Sequence, residues 1–442
     1  MKLFPQKKIS GKLKMGPKKK IIWFVNVSFD EAVLQNDLNK KGKGWLANLA
    51  NNLPDKYELH VVSIDPYKKS KKGDKLSLHY LTPPYFKLKL VLNAFWPLNN
   101  MNGNLLSQMI TIVKEVSPDL IHIHGSEKQF IRIASRPEVK HIPIALSIQG
   151  IMTAISKSYT ASYPLSFLNT FYAFRGFQKT KWLPQRLLTK YKYTIRQTKI
   201  EKDYFRHIDF FFGRTDWDKQ ISELMGDEAT YFKIDRILKP EFYKAVWNSP
   251  NQENNKIIIH TTLGNAIYKG VDVIAEACSY LIEKGLNFEW RVAGVTEGCW
   301  SVRAAKKKLK HKFPKHKLVF LGQLDAKQLI SQMLQANLYV MCSYIENSPN
   351  NLAEAMIMGM PCVATFAGGT STYLEHKKQG LLVPTGDALG IAAAIFNLYK
   401  NPDIAVLYGN NAREASLNRH DPERIQKALI NAYASILKPL NI

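Results

Sequence analysis

"NLYVMCSYIENSPNNLAEAMIMGMPCVATF", residues 337–366, holds a strand, a loop, a helix and a second strand in succession. The run 337–344 is rich in aromatic and β-branched residues, and 360–366 is a second apolar run of strand length. Between them "NNLAEAMIMG" reads as a helix that stops at Gly359, with Pro361 just beyond. Ser348 is expected at the N-cap and Pro349 at the first helical position, where its missing N–H costs nothing. The amides of Asn350, Asn351 and Leu352 would then point out of the helix and form an anion site. Glu346 falls in the loop beside that site. Glu354 falls further along the helix, where a carboxylate can accept two hydrogen bonds from a vicinal diol such as a ribose. The plainer reading makes Glu354 a complement to the helix dipole and Glu346 a solvated loop acid. Spacing alone does not separate the two.

The alternation continues in both directions. Strands are expected at 20–27, 58–64, 76–81, 120–125, 143–149 and 208–214, with a helix "GWLANLANNL" after the first. The pattern restarts at 256–263, 288–295 and 317–322, before the quoted pair. Between the halves, 248–256 is polar, carries Pro250 and has no apolar period. The fold class that follows is α/β, with two doubly wound Rossmann-like domains facing a central cleft. We place a basic arm at 1–20, an acceptor-side domain at 21–240, a connector at 241–256, a donor-side domain at 257–420 and a helix at 421–442 that packs back on the first domain. Ligands in such sheets bind beyond the carboxyl ends of the strands. Gly368 and Gly369, after the strand that ends the quoted stretch, supply a second backbone loop able to close on a phosphate.

Composition narrows the function classes. The chain has 442 residues, enough for two cores, and no repeat or low-complexity tract. Sixty-two Lys and Arg against 36 Asp and Glu leave a net charge of +26, which favours acidic partners. The four cysteines lie in the second half without CxxC spacing, as in a reduced cytoplasmic protein with no zinc site. No apolar run is long enough to span a bilayer.

At this point the sequence resembles a known family. "ENSPNNLAEAMIMGMPCVAT", with Gly-Gly and "GLLVP" behind it, is similar to the donor-binding signature of retaining glycosyltransferase family 4, of GT-B fold. "KGKGWLANLANNL", "PDLIHIHG", "PIALSIQG" and "YKGVDVIAEA" extend the likeness over most of the chain. "FFGRTDWDKQ", "RILKPEFYKAVW" and "SIQGIMTAISKSY" resemble members serving bacterial surface-polysaccharide and lipopolysaccharide assembly. The resemblance implies that Glu354 holds the ribose of a nucleotide diphosphate sugar and that Glu346 contacts the transferred sugar near its reacting carbon. Ser348 and the amides of Asn350, Asn351 and Leu352, with Gly368 and Gly369, would serve sugar hydroxyls and phosphates. Lys269 would neutralise the leaving diphosphate, and Gly42 and Gly44 would let the first domain approach it. It further implies retention by front-face exchange, with no metal and no cofactor beyond the donor. There are two departures. The arginine usual a few residues before Lys269 is missing from "HTTLGNAIYKG", so Arg214 or Arg236 stands in as a candidate cation. The strand-end histidine usual in the family is Gln149 here. His124 and Gln149 are the candidate acceptor-side residues. A catalytically inactive sugar-binding protein of the same fold is the alternative.

Other patterns have plainer readings. Asp216 and Asp218 form a D-x-D, but Thr215 with Asp218 is also a helix capping box, which we prefer. His122 reads as a packed strand histidine; Trp217 and Trp290 read as core or interface. Basic residues interleave with aromatics between 151 and 206, which suits docking on an anionic membrane and a polyprenyl-diphosphate-linked glycan acceptor. The expected location is the inner face of the cytoplasmic membrane. No zinc finger, RRM signature or basic zipper points to nucleic acid.

Overall fold

A computed structural model describes residues 17–27, 29, 44–65, 67–82, 102–170, 172–174, 184–250 and 256–438. Gly42 and most of the basic arm lie outside them. The first sheet contains β1 (Lys19–Val25), β2 (Tyr57–Ile64), β3 (Leu76–Leu81), β4 (Leu120–His124) and β5 (Ile144–Ser147). A small antiparallel pair, β6 (Tyr172–Phe174) with β7 (Pro184–Arg186), follows; β8 (Phe210–Gly213) and β9 (Thr230–Lys233) complete the first sheet. Its order is β3-β2-β1-β4-β5-β8-β9, every neighbour parallel. The second sheet contains β10 (Ile257–Thr262), β11 (Phe288–Ala293), β12 (Leu318–Gly322), β13 (Leu338–Met341), β14 (Cys362–Thr365) and β15 (Leu381–Val383). Its order is β12-β11-β10-β13-β14-β15, again all parallel.

Helices cover both faces of each sheet, so the strands read as continuous apolar runs rather than alternating ones. In β1, Ile22 and Phe24 pack on one side with Ile121, Leu146 and Met109, while Ile21, Trp23 and Val25 pack on the other with Leu46 and Leu59. In each sheet the strand order reverses beside its first strand, between β1 and β4 and between β10 and β13. A crevice at the carboxyl ends of such a pair is where ligands bind.

Three features join the two halves. The helix Pro422–Ile436 returns to the first sheet, where Leu429, Ala432 and Tyr433 are buried in its core. Trp23 Nε1 donates to the Tyr433 hydroxyl at 2.9 Å, and His122 Nδ1 meets the same oxygen at 2.6 Å. Within the stretch taken as a connector, Phe242 and Trp247 are buried with Leu352 and Met356 of the second domain, and 251–255 lie outside the described residues. Finally Tyr163, Leu168 and Leu187 of the first domain form one buried cluster with Ile267, Trp300 and Ala304 of the second. Lysines cap this cluster: Lys190 Nζ lies 5.0 Å from the Trp300 ring and Lys308 Nζ 5.4 Å from the Tyr163 ring. Lys308 also pairs with Asp272 at 3.2 Å, and Ser162 donates to the same carboxylate. Several aromatics of the 151–206 segment thus serve packing between domains.

The plainer readings hold. Thr215 and Asp218 form a full capping box at the helix Asp216–Met225. Trp290 is fully buried, and His122 is locked between Tyr433 and Ser147. All four cysteines are free.

Candidate active site

The loop after β10 and the loop after β13 meet at one ion pair. Lys269 Nζ lies 2.5 Å from Glu346 Oε1, and Ser343 Oγ donates to the same oxygen at 2.7 Å. Gly270 explains how Lys269 comes so close. Its φ of +80° is a left-handed conformation open to glycine, and a Cβ there would stand 2.0 Å from the carbonyl oxygen of Cys342 at the end of β13. The Lys269 turn therefore lies directly on the backbone that leads to Glu346. Tyr344 N–H donates to Tyr268 O at 2.8 Å and fastens the two loops again. Burial works against the charge of Lys269, yet Glu346 and Tyr268 outweigh it and hold the ammonium pKa above its ordinary range.

The helix of the signature spans Asn350–Met358, and Gly359 ends it in the left-handed conformation. Its N-cap is Pro349, one residue later than expected, and no side chain caps it. Ser348 Oγ instead accepts from Arg214 Nη1 at 3.2 Å, across the cleft. Leu352 N–H is not an open donor either, since Asn351 Oδ1 takes it at 3.0 Å. Asn351 Nδ2 in turn donates to Thr262 O at 2.6 Å and ties the helix start to the end of β10. The amides of Asn350 and Asn351 carry no hydrogen bond among the described residues. Asn347 offers a third donor: its Oδ1 accepts from Thr215 Oγ1 at 3.1 Å, while its buried Nδ2 has no partner among the described residues.

The glycine pair behaves differently from expectation. Gly369 N–H donates to Glu346 O at 3.0 Å, and Cβ atoms at Gly368 and Gly369 would stand 2.2 and 2.1 Å from the carbonyl oxygens of Glu346 and Asn347. The loop after β14 thus supports the Glu346 loop from behind, and its second amide is used in doing so. No side chain larger than hydrogen fits.

Glu354 is half-buried, with no hydrogen bond to its carboxylate among the described residues. Burial pushes its pKa up to about 7, against the pull of Lys239 and Arg236. The folded protein holds this proton more tightly than the unfolded chain does. Glu354 therefore costs stability as pH rises from the usual carboxylate range to about 7.

The first domain contributes two arginines. Arg214 follows β8 and reaches both Ile148 O, at 2.9 Å, and Ser348. Arg236 Nη2 donates to Gln149 Oε1 at 2.6 Å, and burial and Arg214 lower its pKa to about 9. Gln149 thus positions an arginine at the strand end. His124 is buried against His122, ring centroids 4.2 Å apart, and Trp23; burial, His122 and Arg214 keep it neutral. It is a core residue more than a cleft residue. Gly44 begins the helix Gly44–Asn51. Among the described residues no group of three or more His, Cys, Asp or Glu could hold a metal. Glu127, between His124 and Gln149 in sequence, gave no signal in the sequence; it lies just past β4 and accepts from Asn26 Nδ2 at 2.8 Å.

Two parallel-sheet domains with paired loops at their carboxyl ends define the GT-B fold. Sucrose-phosphate synthase from Thermosynechococcus elongatus superposes with a TM-score of 0.67 at 14% identity, covering 95% of this chain and 99% of its own. Residues 244–415 match the family described as glycosyl transferases group 1, so the carboxyl half of the chain carries a domain of that family. The N-acetyl-alpha-D-glucosaminyl L-malate synthase of Bacillus anthracis is 26% identical over 213 residues, 48% of this chain and 52% of that protein. WcaL of Escherichia coli K12, a glycosyltransferase named for colanic acid biosynthesis, is 29% identical over 181 residues, 39% of this chain and 42% of its own. The chain thus spans about half the length of the curated relatives it matches. The resemblance read from the signature is borne out for the carboxyl-half domain, as glycosyl transferases group 1, and for the GT-B fold.

Proposed function

We propose that this chain is a retaining glycosyltransferase that moves a sugar from a nucleotide diphosphate sugar to a bacterial surface glycan. The Lys269–Glu346 pair beside the open amides of Asn350 and Asn351 carries this reading. Breaking the bond between the sugar and the diphosphate leaves positive charge on the sugar and negative charge on the departing oxygen. Lys269, the helix amides and Arg214 stabilise the second; the Glu346 carboxylate faces the first. The acceptor oxygen bonds to the same face of the sugar carbon as the phosphate leaves, and the acceptor proton passes to the departing phosphate oxygen. Glu354 accepts both ribose hydroxyls. These residues meet the charge without a metal. The alternative, an inactive binding protein, has no observation of its own to favour it.

The test is a melting shift. UDP, GDP and ADP screened at saturating concentration will include one that raises the melting temperature by mass action. That shift will be larger at pH 8 than at pH 6. Glu354 is protonated below about 7, and a carboxylate accepts from a diol more strongly than a neutral acid does. Glu354→Gln will remove the pH difference. No shift with any nucleotide would sink the assignment.

We further propose that the acceptor is lipid-linked and met at the inner membrane surface. Tyr193 and Ile195 are exposed apolar residues of the helix Leu187–Phe205, with Lys192, Arg196 and Lys199 exposed on it too; Leu165, also exposed, begins the helix Leu165–Thr170. Such a surface binds anionic bilayers through charge and apolar contact together. The protein is expected to sediment with phosphatidylglycerol vesicles and much less with phosphatidylcholine; equal recovery with both would refute docking. No helix among the described residues is long and apolar enough to cross a membrane.

A further inference from the structure

The carboxyl ends of β1, β4 and β5 converge on Glu127, a residue that the chemistry above does not use. Asn26, just past β1, donates through Nδ2 to Glu127 Oε2 at 2.8 Å. The amide of Gly150, beyond β5, also bonds the carboxylate. Gly125 makes the approach possible. Its φ is +98°, and a Cβ would stand 2.2 Å from Glu127 Oε2 and 2.4 Å from Asn26 Nδ2. Glu127 remains half-buried. It lies within electrostatic reach of Arg236, which holds Gln149, and of Tyr268, which precedes Lys269. Glu127 thus stands at the carboxyl ends of the first sheet, the same end of its sheet at which Lys269 and Glu346 stand in the second.

Two side-chain groups of this wall present acceptors, beside Lys128, whose ammonium donates to the Asn26 carbonyl. Glu127 presents carboxylate oxygens, and Asn26 Oδ1 is buried with no partner among the described residues. Both are acceptors. An occupant must bring donors, which hydroxyl groups do and a phosphate at neutral pH does not. A phosphate set against the carboxylate itself would meet like charge there, with Lys128 and Arg236 the nearby cations.

We propose that Glu127, with Asn26, binds hydroxyls of a neutral sugar at the end of the acceptor, and that a phosphate group is not what this wall receives. The inference rests on the glycosyltransferase reading and narrows it. The chain extends an existing glycan through a sugar hydroxyl rather than starting one on a lipid phosphate. Burial raises the Glu127 pKa to about 7, so the group can accept from a hydroxyl or share a proton with it.

The experiment measures release of nucleoside diphosphate from UDP-glucose, UDP-N-acetylglucosamine and GDP-mannose. Each is run in water alone, with octyl glucoside and octyl galactoside, and with dodecyl phosphate. The parent is expected to be accelerated by a neutral glycoside and not by dodecyl phosphate. Glu127→Gln and Glu127→Ala are expected to lose that acceleration by about 10- to 100-fold, the scale of a lost hydrogen bond to a charged group. Their water-only rate and their nucleotide-induced melting shift should match the parent's, which a carboxylate that only stitches loops would not allow. Variants accelerated like the parent would overturn the proposal. So would acceleration by dodecyl phosphate alone, by no glycoside, or a loss shared by water-only rate and melting shift. A parent without any nucleotide melting shift is a different result: it sinks the glycosyltransferase reading and this inference with it.

Discussion

Glu346→Gln will lower the rate of glycosyl transfer by about 10²- to 10³-fold, the usual effect of removing one preorganised electrostatic partner. The melting shift on nucleotide binding will stay near the parent's. Glutamine keeps the shape and still accepts from Ser343, which now donates to Glu346 at 2.7 Å. It cannot carry the charge that meets the developing cation, nor anchor Lys269 at 2.5 Å. The loss should therefore fall on kcat, because the interaction strengthens as charge develops. Single-turnover rates on the nucleotide sugar chosen by the melting screen would check it. An unchanged rate would remove Glu346 from the chemistry.

Gly270→Ala should be among the most damaging small substitutions in the donor domain. Two costs add: a left-handed backbone at φ +80°, and a methyl group 2.0 Å from a carbonyl oxygen. A loss of about 2–4 kcal/mol in stability is expected, with transfer activity lost alongside, since the clash pushes Lys269 away from Glu346. Gly264→Ala is the control. Nothing lies within 4 Å of its added Cβ, and the same chain segment carries it. Equal melting temperatures for the two variants would refute the account.

Which parts could be read from the sequence follows from what each part needs. Interior parallel strands were legible because both faces are covered, so β1, β4, β10 and β13 are mostly buried and carry consecutive apolar residues, interrupted in β4 and β10 by buried His and Thr. The two strands that close the first and second sheets, β9 and β15, escaped notice. Both are outermost, short and only half covered: "TYFK" carries two exposed ends, and Leu382 and Val383 are partly open. Lys269 and Glu346 were singled out because each sits in a recognisable loop, though their ion pair was not foreseen. The roles of Ser348 and Gly369 were not foreseen either, because each depends on a partner in another element: Arg214 for one, Glu346 O for the other. Glu127 left no trace for the same reason. Asn26, which holds it, lies 101 positions earlier, and no spacing rule connects them.

Tyr433 has a consequence for how the molecule is made. Its hydroxyl serves Trp23, 410 positions away in the chain. The first domain thus waits for residues near 430 before its core is complete, although most of its strands are synthesised first. During synthesis the Trp23 and His122 side of the sheet is covered only in part, by the helix Gly44–Asn51, while the whole second domain emerges. Loop closure on that scale is slow, and exposed apolar sheet invites aggregation. The first domain expressed without residues 421–438 is therefore expected to be less stable than the same domain within the full chain.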